Sequence, residues 1–187
     1  MTYQKKYQLI MKKLALLLTL AVVFISCEGP QGPRGFDGRN GDDFVAQSYE
    51  ITGSFSALNN YEISGFHPVD ITVFESDMIL VYISWETVTA GDGLPTDVWR
   101  LVPQTIYSDF GEFSYNYDST FEDIRIFLDG PSTTDFNLLA PADTDNQIFR
   151  VVILPADLAN DPTLDITDYN SVMHLGGITE TDILKVE

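Results

Sequence analysis

The sequence is poor in cysteine, histidine and positive charge. Its 187 residues include one cysteine, two histidines and 10 Lys and Arg against 28 Asp and Glu, so the formal net charge is −18. A single cysteine cannot form an internal disulfide, and two histidines cannot build a histidine-rich metal site. The negative charge argues against nucleic acid as a partner, because phosphates require a basic surface. A hydrophobic content of 44% excludes a chain that is disordered throughout.

The first 26 residues have the charge and hydropathy pattern of an export signal. They contain no acid and four lysines, at positions 5, 6, 12 and 13. Within this segment, the 12 residues 14–25 are apolar except for Thr19. This run is too short to span a membrane, which needs roughly 20 apolar residues, but it is typical of a secretory signal. Residues 1–26 are therefore predicted to be a signal peptide, and Met11, which two lysines follow, is a second candidate for the true start.

The segment Phe24-Ile25-Ser26-Cys27 resembles the lipobox of bacterial lipoproteins, in which a small residue precedes an invariant cysteine. The resemblance implies that the Cys27 thiol carries diacylglycerol, that the signal is cut before Cys27, and that the new amine is acylated. Phe24 stands where the family most often has leucine. An ordinary secretory signal with an incidental cysteine is the alternative. Acyl chains contribute about 0.8 kcal/mol per buried CH₂, so a membrane is the first expected partner.

Residues 27–43 contain a collagen-like repeat. Glycine recurs at every third position from Gly29 to Gly41, which makes five Gly-X-Y triplets. Only glycine fits the crowded axis of a collagen triple helix, but proline follows glycine in just the first two triplets. The segment is therefore predicted to be an extended tether of about 40–50 Å. A trimerising stem is the alternative, so a monomer or a weak trimer is expected.

This N-terminal organisation resembles that of small collagen-like lipoproteins of Bacteroidota-type bacteria. The shared features are the Met-Lys-Lys start, the lipobox, the sequence Cys-Glu-Gly-Pro-Gln-Gly-Pro and an acidic β-rich domain, and the resemblance is specific over residues 11–43. It implies a lipid-anchored location in the cell envelope, with the outer membrane favoured and the periplasmic or surface face left open. It supplies no catalytic residues.

Residues 44–187 are predicted to form one acidic, β-rich domain. They include 24 acids and only four bases, a net charge of −20, and 19 aromatic residues that must stabilise the domain without a disulfide. Turn signals about every 8–12 residues and the lack of a long helical period favour a single antiparallel β-sandwich-like domain over a parallel α/β fold. The predicted strands, of which the last two have weaker patterns, are 77–85, 98–107, 113–117, 121–128, 147–154, 45–56 and 69–74.

Three of these patterns carry further structural expectations. The nearly unbroken apolar run Met78–Ile83 is typical of a central strand that is covered on both faces. Turn residues at 108–111 predict a hairpin between 98–107 and 113–117. Pro103, which lies inside the first of these two strands, favours an edge position or a bulge.

One or two short helices are predicted near the C-terminus. Thr167 or Asp168 caps the first, which runs through Leu175 and ends at Gly176-Gly177. Thr179 with Asp182 resembles a second cap, although residues 183–186 could equally close the sheet as a strand.

No motif with a known catalytic geometry emerges. His67 and His174 lie 107 positions apart, whereas metal ligands on one element lie three or four apart, and no Gly-X-Ser-X-Gly elbow accompanies them. The stretch 91–96 resembles Gly-X-Gly-X-X-Gly, but it ends in threonine and enters no βαβ unit. No catalytic residue, metal or cofactor is therefore predicted.

Carboxylates are the only abundant reactive groups. Acids in the loops offer the oxygen ligands that Ca²⁺ prefers, but a solvated acidic surface is the simpler interpretation. A carboxylate pair at a suitable separation could hydrolyse glycosides, and Trp85 and Trp99 could stack on sugar rings, although aromatic residues on strands more often belong to a core. The loop acids are Asp143, Asp145, Asp157, Asp161, Asp165 and Asp168.

A short motif, Asp118-Ser119-Thr120, resembles an O-glycosylation site of such bacteria, with a plain turn between two strands as the alternative. All the stronger signals concern where the protein is placed. The leading hypothesis is a membrane-anchored cell-envelope lipoprotein whose domain is a non-catalytic structural or partner-binding module for a protein or a glycan. The alternative is a carboxylate-based glycan-active enzyme or a carbohydrate-binding module, and Ca²⁺-stabilised adhesion is a third hypothesis.

Overall fold

The computed structural model describes residues 3, 5–8, 10–13 and 45–186. The described residues before position 14 are helical and exposed, and residues 45–186 are mainly β. The strands are β1 (Gln47–Gly53), β2 (Glu62–Phe66), β3 (Met78–Thr89), β4 (Pro95–Leu101), β5 (Gln104–Ser108), β6 (Gly111–Ser119), β7 (Asp123–Asp129), β8 (Gln147–Leu154) and β9 (Leu184–Val186). Short α-helices are α1 (Pro141–Thr144), α2 (Ala156–Ala159) and α3 (Tyr169–Gly176), and 3₁₀ turns span Ala57–Asn59, Phe136–Leu138 and Glu180–Asp182.

The strands form two sheets that pack into a sandwich. The first sheet has the strand order β4-β3-β8-β1-β9, and the second sheet has the order β2-β7-β6-β5. Neighbouring strands are antiparallel except for β1 and β9, which run parallel. The predicted antiparallel β-sandwich-like fold is therefore confirmed, with one parallel pair at the edge of the first sheet.

Alternate side chains of both sheets meet in an aromatic core. Successive residues of a strand point to opposite faces, so Val81 of β3 and Phe149 of β8 face the second sheet, where they join Phe113 in one buried cluster. The Phe149 ring lies 6.0 Å from the rings of Phe55 and Tyr115, centre to centre. Aromatic packing thus stabilises the sandwich, as expected of a domain without a disulfide.

The opposite face of the first sheet is covered by C-terminal elements. Leu80 and Tyr82 of β3 pack there with Val152 of β8 and with Val172 and Met173 of α3. The central part of β3 is therefore buried on both faces, as its apolar run predicts. The outward-facing residues of the second sheet, in contrast, are exposed or half-buried.

A buried arginine joins the C-terminal layer to the first sheet. Arg150 of β8 is only 4% exposed. Its guanidinium donates hydrogen bonds to Glu50 at 3.0 Å, to Glu180 at 2.8 Å and to the Tyr169 hydroxyl, and it lies 4.0 Å from the centre of the Trp99 ring. Burial disfavours the charged guanidinium, but its three hydrogen-bond partners outweigh burial and raise the pKa of Arg150. The side chain therefore stays charged.

Most strand predictions agree with the structure, but the strand 69–74 is wrong, and 98–107 forms two strands instead of one. Strand β8 has the predicted bounds, whereas β1, β3, β6 and β7 begin or end a few residues away from theirs. Residues 69–74 form no strand. Ile71 and Val73 instead pack from a loop against the core, and the Gln47 side chain hydrogen-bonds both backbone groups of Thr72. Side-chain bonding thus replaces the strand ladder in this loop.

The predicted strand 98–107 is divided between the two sheets. Residues up to Leu101 belong to β4, which pairs with β3, and residues from Gln104 belong to β5, which pairs with β6. Proline has no N–H for a strand ladder, and Pro103 lies at this crossover, between two edge strands. The hairpin of β5 with β6 is confirmed, but residues 98–101 are not part of it.

The C-terminal cap signals are accurate. The Asp168 carboxylate accepts a hydrogen bond from the Asn170 backbone N–H and caps α3, and Gly177 ends this helix in the left-handed conformation. Thr179 and Asp182 form a capping box around a 3₁₀ turn. Both alternatives for this end of the chain are therefore realised, because β9 follows that turn directly.

Gly177→Ala is expected to lower the free energy of unfolding by about 1 kcal/mol, because φ is +64° and a Cβ is unfavourable in the left-handed region. Gly91→Ala is the matched control, since an added Cβ meets no atom within 4 Å at either position and Gly91 is not left-handed. Urea unfolding of the full-length variants measures both. Equal effects of the two substitutions would contradict the conformational explanation.

Candidate functional site

The open outer face of the second sheet carries the candidate site. The strand register places Ser64 of β2 and Asp118 of β6 on either side of Arg125 of β7, and Phe66 beside Asp123. Phe66 is 82% exposed, which makes it the most exposed phenylalanine of the described residues. None of these residues takes part in the core between the sheets.

An exposed ion cluster occupies this face. The Arg125 guanidinium donates two hydrogen bonds to the Asp118 carboxylate, at 3.0 and 2.5 Å, and lies 3.7 Å from Glu62. It also lies 4.8 Å from the centre of the Phe127 ring. Hydrogen bonding to Arg125 holds the pKa of Asp118 below its ordinary value. Asp118 therefore remains an ionised acceptor.

A shallow groove of about 420 Å³ runs between Phe66 and this cluster. Its volume falls in the range of small-molecule sites, about 300–1,000 Å³. Ser64 lies on the same face as Phe66 and Arg125, and its hydroxyl makes no hydrogen bond to any described residue. Ser119 pairs with the buried Ile124 and therefore points to the other face of β6. The lining residues are Ser64, Gly65, Phe66, Asp118, Ser119, Thr120, Asp123, Ile124 and Arg125.

His67 connects Tyr49 of β1 with the turn that follows β6, next to Phe66. Its Nε2 lies 3.0 Å from the backbone carbonyl of Thr120, in the turn between β6 and β7, and its Nδ1 lies 2.7 Å from the Tyr49 hydroxyl. A carbonyl oxygen can only accept, so Nε2–H donates to it, while Nδ1 shares a hydrogen bond with the Tyr49 hydroxyl, whose pKa is raised by burial. Both ring nitrogens are therefore used in positioning the turn next to Phe66.

The turn itself is stabilised by Thr120. Its hydroxyl donates to the Asp123 carboxylate at 2.5 Å and accepts from the backbone N–H groups of Glu122 and Asp123. The motif Asp118-Ser119-Thr120 thus forms the end of β6 and the turn into β7, which is the structure of the plain-turn alternative. Ser119 is exposed there.

The other predicted site residues lie elsewhere. His174 is exposed on α3, which covers the first sheet. Trp85 stacks under the Arg100 guanidinium at 3.9 Å, and Trp99 contacts Arg150 and Tyr169. Both tryptophans are half-buried, and each has an arginine against its ring. Residues 91–94 form the tight turn between β3 and β4.

The loop acids mainly stabilise turns. Asp161 accepts hydrogen bonds from Thr163 and Asp165 accepts from Thr167, and these bonds lower the pKa of both acids. Burial raises the pKa of Asp143 instead. Within the described ranges, no three His, Cys, Asp or Glu side chains come together as metal ligands. Asp161 and Asp165, which belong to the predicted acidic surface, therefore also stabilise the turns in which they lie.

Sequence reasoning did not identify Phe66, Ser64 or Arg125. The pattern of β2, Glu-Ile-Ser-Gly-Phe, does place Phe66 on the same face as Glu62 and Ser64. An aromatic residue on an otherwise polar face was the available signal.

Cys27, the signal peptide and the Gly-X-Y tether lie outside the described residues. No helix in the described part of the chain is both long enough and apolar enough to cross a bilayer. No protein-family model, curated protein or solved structure matches this chain.

Proposed function

We propose that this chain is a cell-envelope lipoprotein in which a lipid on Cys27 and a Gly-X-Y tether carry a non-catalytic, partner-binding β-sandwich. The observation that supports binding is the difference between the two sheets. The first sheet is covered on both faces, whereas the second sheet leaves one face open and presents an 82% exposed Phe66 beside a groove. A large exposed apolar side chain next to a groove is typical of a binding site.

The chemistry of the groove favours binding over hydrolysis. A glycosidase needs a carboxylic acid whose pKa is raised, so that it can protonate the leaving group. In the groove, Asp118 has a lowered pKa because of Arg125, and Asp123 accepts a hydrogen bond from Thr120. Asp143, whose pKa is raised, is not among the residues that line the groove.

The charge distribution fits a domain held away from its own membrane. With the signal removed, 24 of the remaining acids lie in residues 44–187, and anionic headgroups repel such a surface. A tether of about 40–50 Å exceeds the Debye length of about 8 Å at physiological salt. The lipid can therefore hold the chain at the envelope while the domain remains accessible to a partner.

Cys27→Ser is expected to abolish lipid labelling and to move the full-length chain from the membrane fraction to the soluble fraction. The thioether that attaches diacylglycerol cannot form on serine, and no other cysteine can replace it. Growth with a labelled fatty acid, followed by fractionation, measures both effects. Ser26→Ala, which keeps a small residue before the cysteine, is the control and should remain labelled. A wild-type chain without label would contradict the proposal.

A further inference from the structure

We infer that the groove beside Phe66 binds a neutral glycan, with one sugar ring lying against the Phe66 ring; this inference rests on the partner-binding function proposed above. The Phe66 side chain has lost little of its exposure on folding, so its ring face is available to a ligand. The C–H face of a pyranose is apolar and flat, and an aromatic ring contributes both buried area and a specific stacking geometry to such a contact.

The polar lining of the groove complements sugar hydroxyls. Ser64 offers a hydroxyl that no described residue engages, and a hydroxyl can both donate and accept a hydrogen bond. The carboxylates of Asp118 and Asp123 are acceptors that line the same groove, and a carboxylate forms stronger hydrogen bonds than a neutral acceptor. Sugar hydroxyls both donate and accept hydrogen bonds, and the lining of the groove offers them donors as well as acceptors.

The electrostatics select a neutral ligand rather than an anionic one. Among the described residues that line the groove, Arg125 is the only base, and Asp118 and Glu62 already face its guanidinium. Residues 44–187 carry a net charge of −20, which repels phosphate or carboxylate groups from the surface. A neutral polyhydroxylated ligand is not repelled by this charge, and it does not need an unpaired cation in order to bind.

The same face is poorly suited to a protein partner. Stable protein interfaces bury about 800 Å² on each side, and charged residues are depleted at their centre. Here the ion cluster occupies both central strands, with Arg125 on β7 and Asp118 on β6, and one edge strand, with Glu62 on β2. The two most exposed aromatic residues of 45–186, Phe66 and Tyr107, lie on β2 and β5, the opposite edges of the second sheet. A ligand in the groove contacts Asp118 and Arg125 but does not have to cover the whole sheet face between the two aromatic residues.

Calorimetric titration of the full-length lipidated chain tests the inference. Lauryldimethylamine oxide keeps the protein dispersed without offering a sugar headgroup, and the probes are cellohexaose, xylohexaose, mannohexaose and maltohexaose. We expect at least one to bind, and Phe66→Ala to weaken its affinity about tenfold or more. Ser64→Ala should weaken it several-fold. Tyr107→Ala is the matched control, because Tyr107 is 81% exposed on the same sheet, and it should leave the affinity unchanged.

Two results would overturn the inference that the groove binds a glycan. One is the absence of binding by all four oligosaccharides at millimolar concentration, and the other is binding that Phe66→Ala leaves intact. Photo-crosslinking in cells, with benzoylphenylalanine in place of Phe66, separates this failure from that of the proposed function. A protease-sensitive adduct without oligosaccharide binding would identify a protein partner and leave a partner-binding function standing. No adduct and no oligosaccharide binding would overturn both.

Discussion

Arg150→Met is expected to lower the free energy of unfolding by about 3–5 kcal/mol, which is the usual cost of removing one partner from a buried ion pair. Arg150 is 4% exposed, and the Glu50 side chain that it contacts is 12% exposed. Without the guanidinium, the Glu50 carboxylate loses its 3.0 Å partner in a region of low dielectric and keeps the exposed Lys185, whose Nζ lies 3.6 Å from its other oxygen. The substitution also removes the stacking on Trp99 and the bond to Tyr169. Urea unfolding of the full-length chain measures the loss.

Two further variants separate charge from packing. Adding Glu50→Gln to Arg150→Met removes a carboxylate that is then paired with the exposed Lys185 and no longer with Arg150. It should restore part of the lost stability, because a poorly compensated buried carboxylate is the main penalty. Arg125→Met is the matched control. Arg125 also bonds a carboxylate and lies near an aromatic ring, but it is exposed, so solvent screens the pair and the loss should be far smaller. Similar losses for Arg150→Met and Arg125→Met would contradict the role of burial.

Phe149→Ala is expected to cost about 3–5 kcal/mol, the range for truncating a buried aromatic residue. Phe149 is fully buried, and the rings of Phe55 and Tyr115 lie 6.0 Å away from its own. Alanine would leave a cavity that these rings can fill only in part, because they are fixed on different elements. A domain of this size has about 5–15 kcal/mol of stability in total, so the variant should unfold at a markedly lower urea concentration.

Phe66→Ala is the matched control for this experiment. The same side chain is removed, but from a position that is 82% exposed, and surface substitutions usually change stability by less than about 0.5 kcal/mol. Phe149→Leu should have an intermediate effect, since it keeps part of the buried volume. A loss below about 1 kcal/mol for Phe149→Ala would show that the aromatic core is not what stabilises the sandwich.

The local structure was largely predictable where one short segment contains the whole signal. The apolar run of β8 has the predicted bounds, and Asp168 and Gly177 delimit α3. Caps and buried strands depend on neighbouring residues, so their signals are complete in the sequence. The strand 98–107 was not predictable in the same way. Its two halves look alike in composition, and only the pairing of β4 with β3 and of β5 with β6 separates them.

The candidate site illustrates the same limit. His67 stands out in the sequence because histidine is scarce, but its contacts with Tyr49 and Thr120 join residues that are 18 and 53 positions away. Trp85 and Trp99 have the residue type of a sugar-stacking site, yet both contact arginines. The pattern of β2 places Phe66 on one face with Glu62 and Ser64, but no local feature shows that this face stays uncovered. Burial depends on which strands become neighbours, and composition does not contain that information.

The sequence by itself determined the class of fold, the order of the strongest elements and the acidity of the domain, because these follow from alternation, turn residues and the count of charges. It also determined that stability must come from packing, since Cys27 is the one cysteine. Tertiary structure alone decided that Arg150 is buried while Arg125 is exposed, and that the second sheet keeps an open face with Phe66 on it. Both outcomes depend on pairing between strands far apart in the chain, and α3 covers only the first sheet.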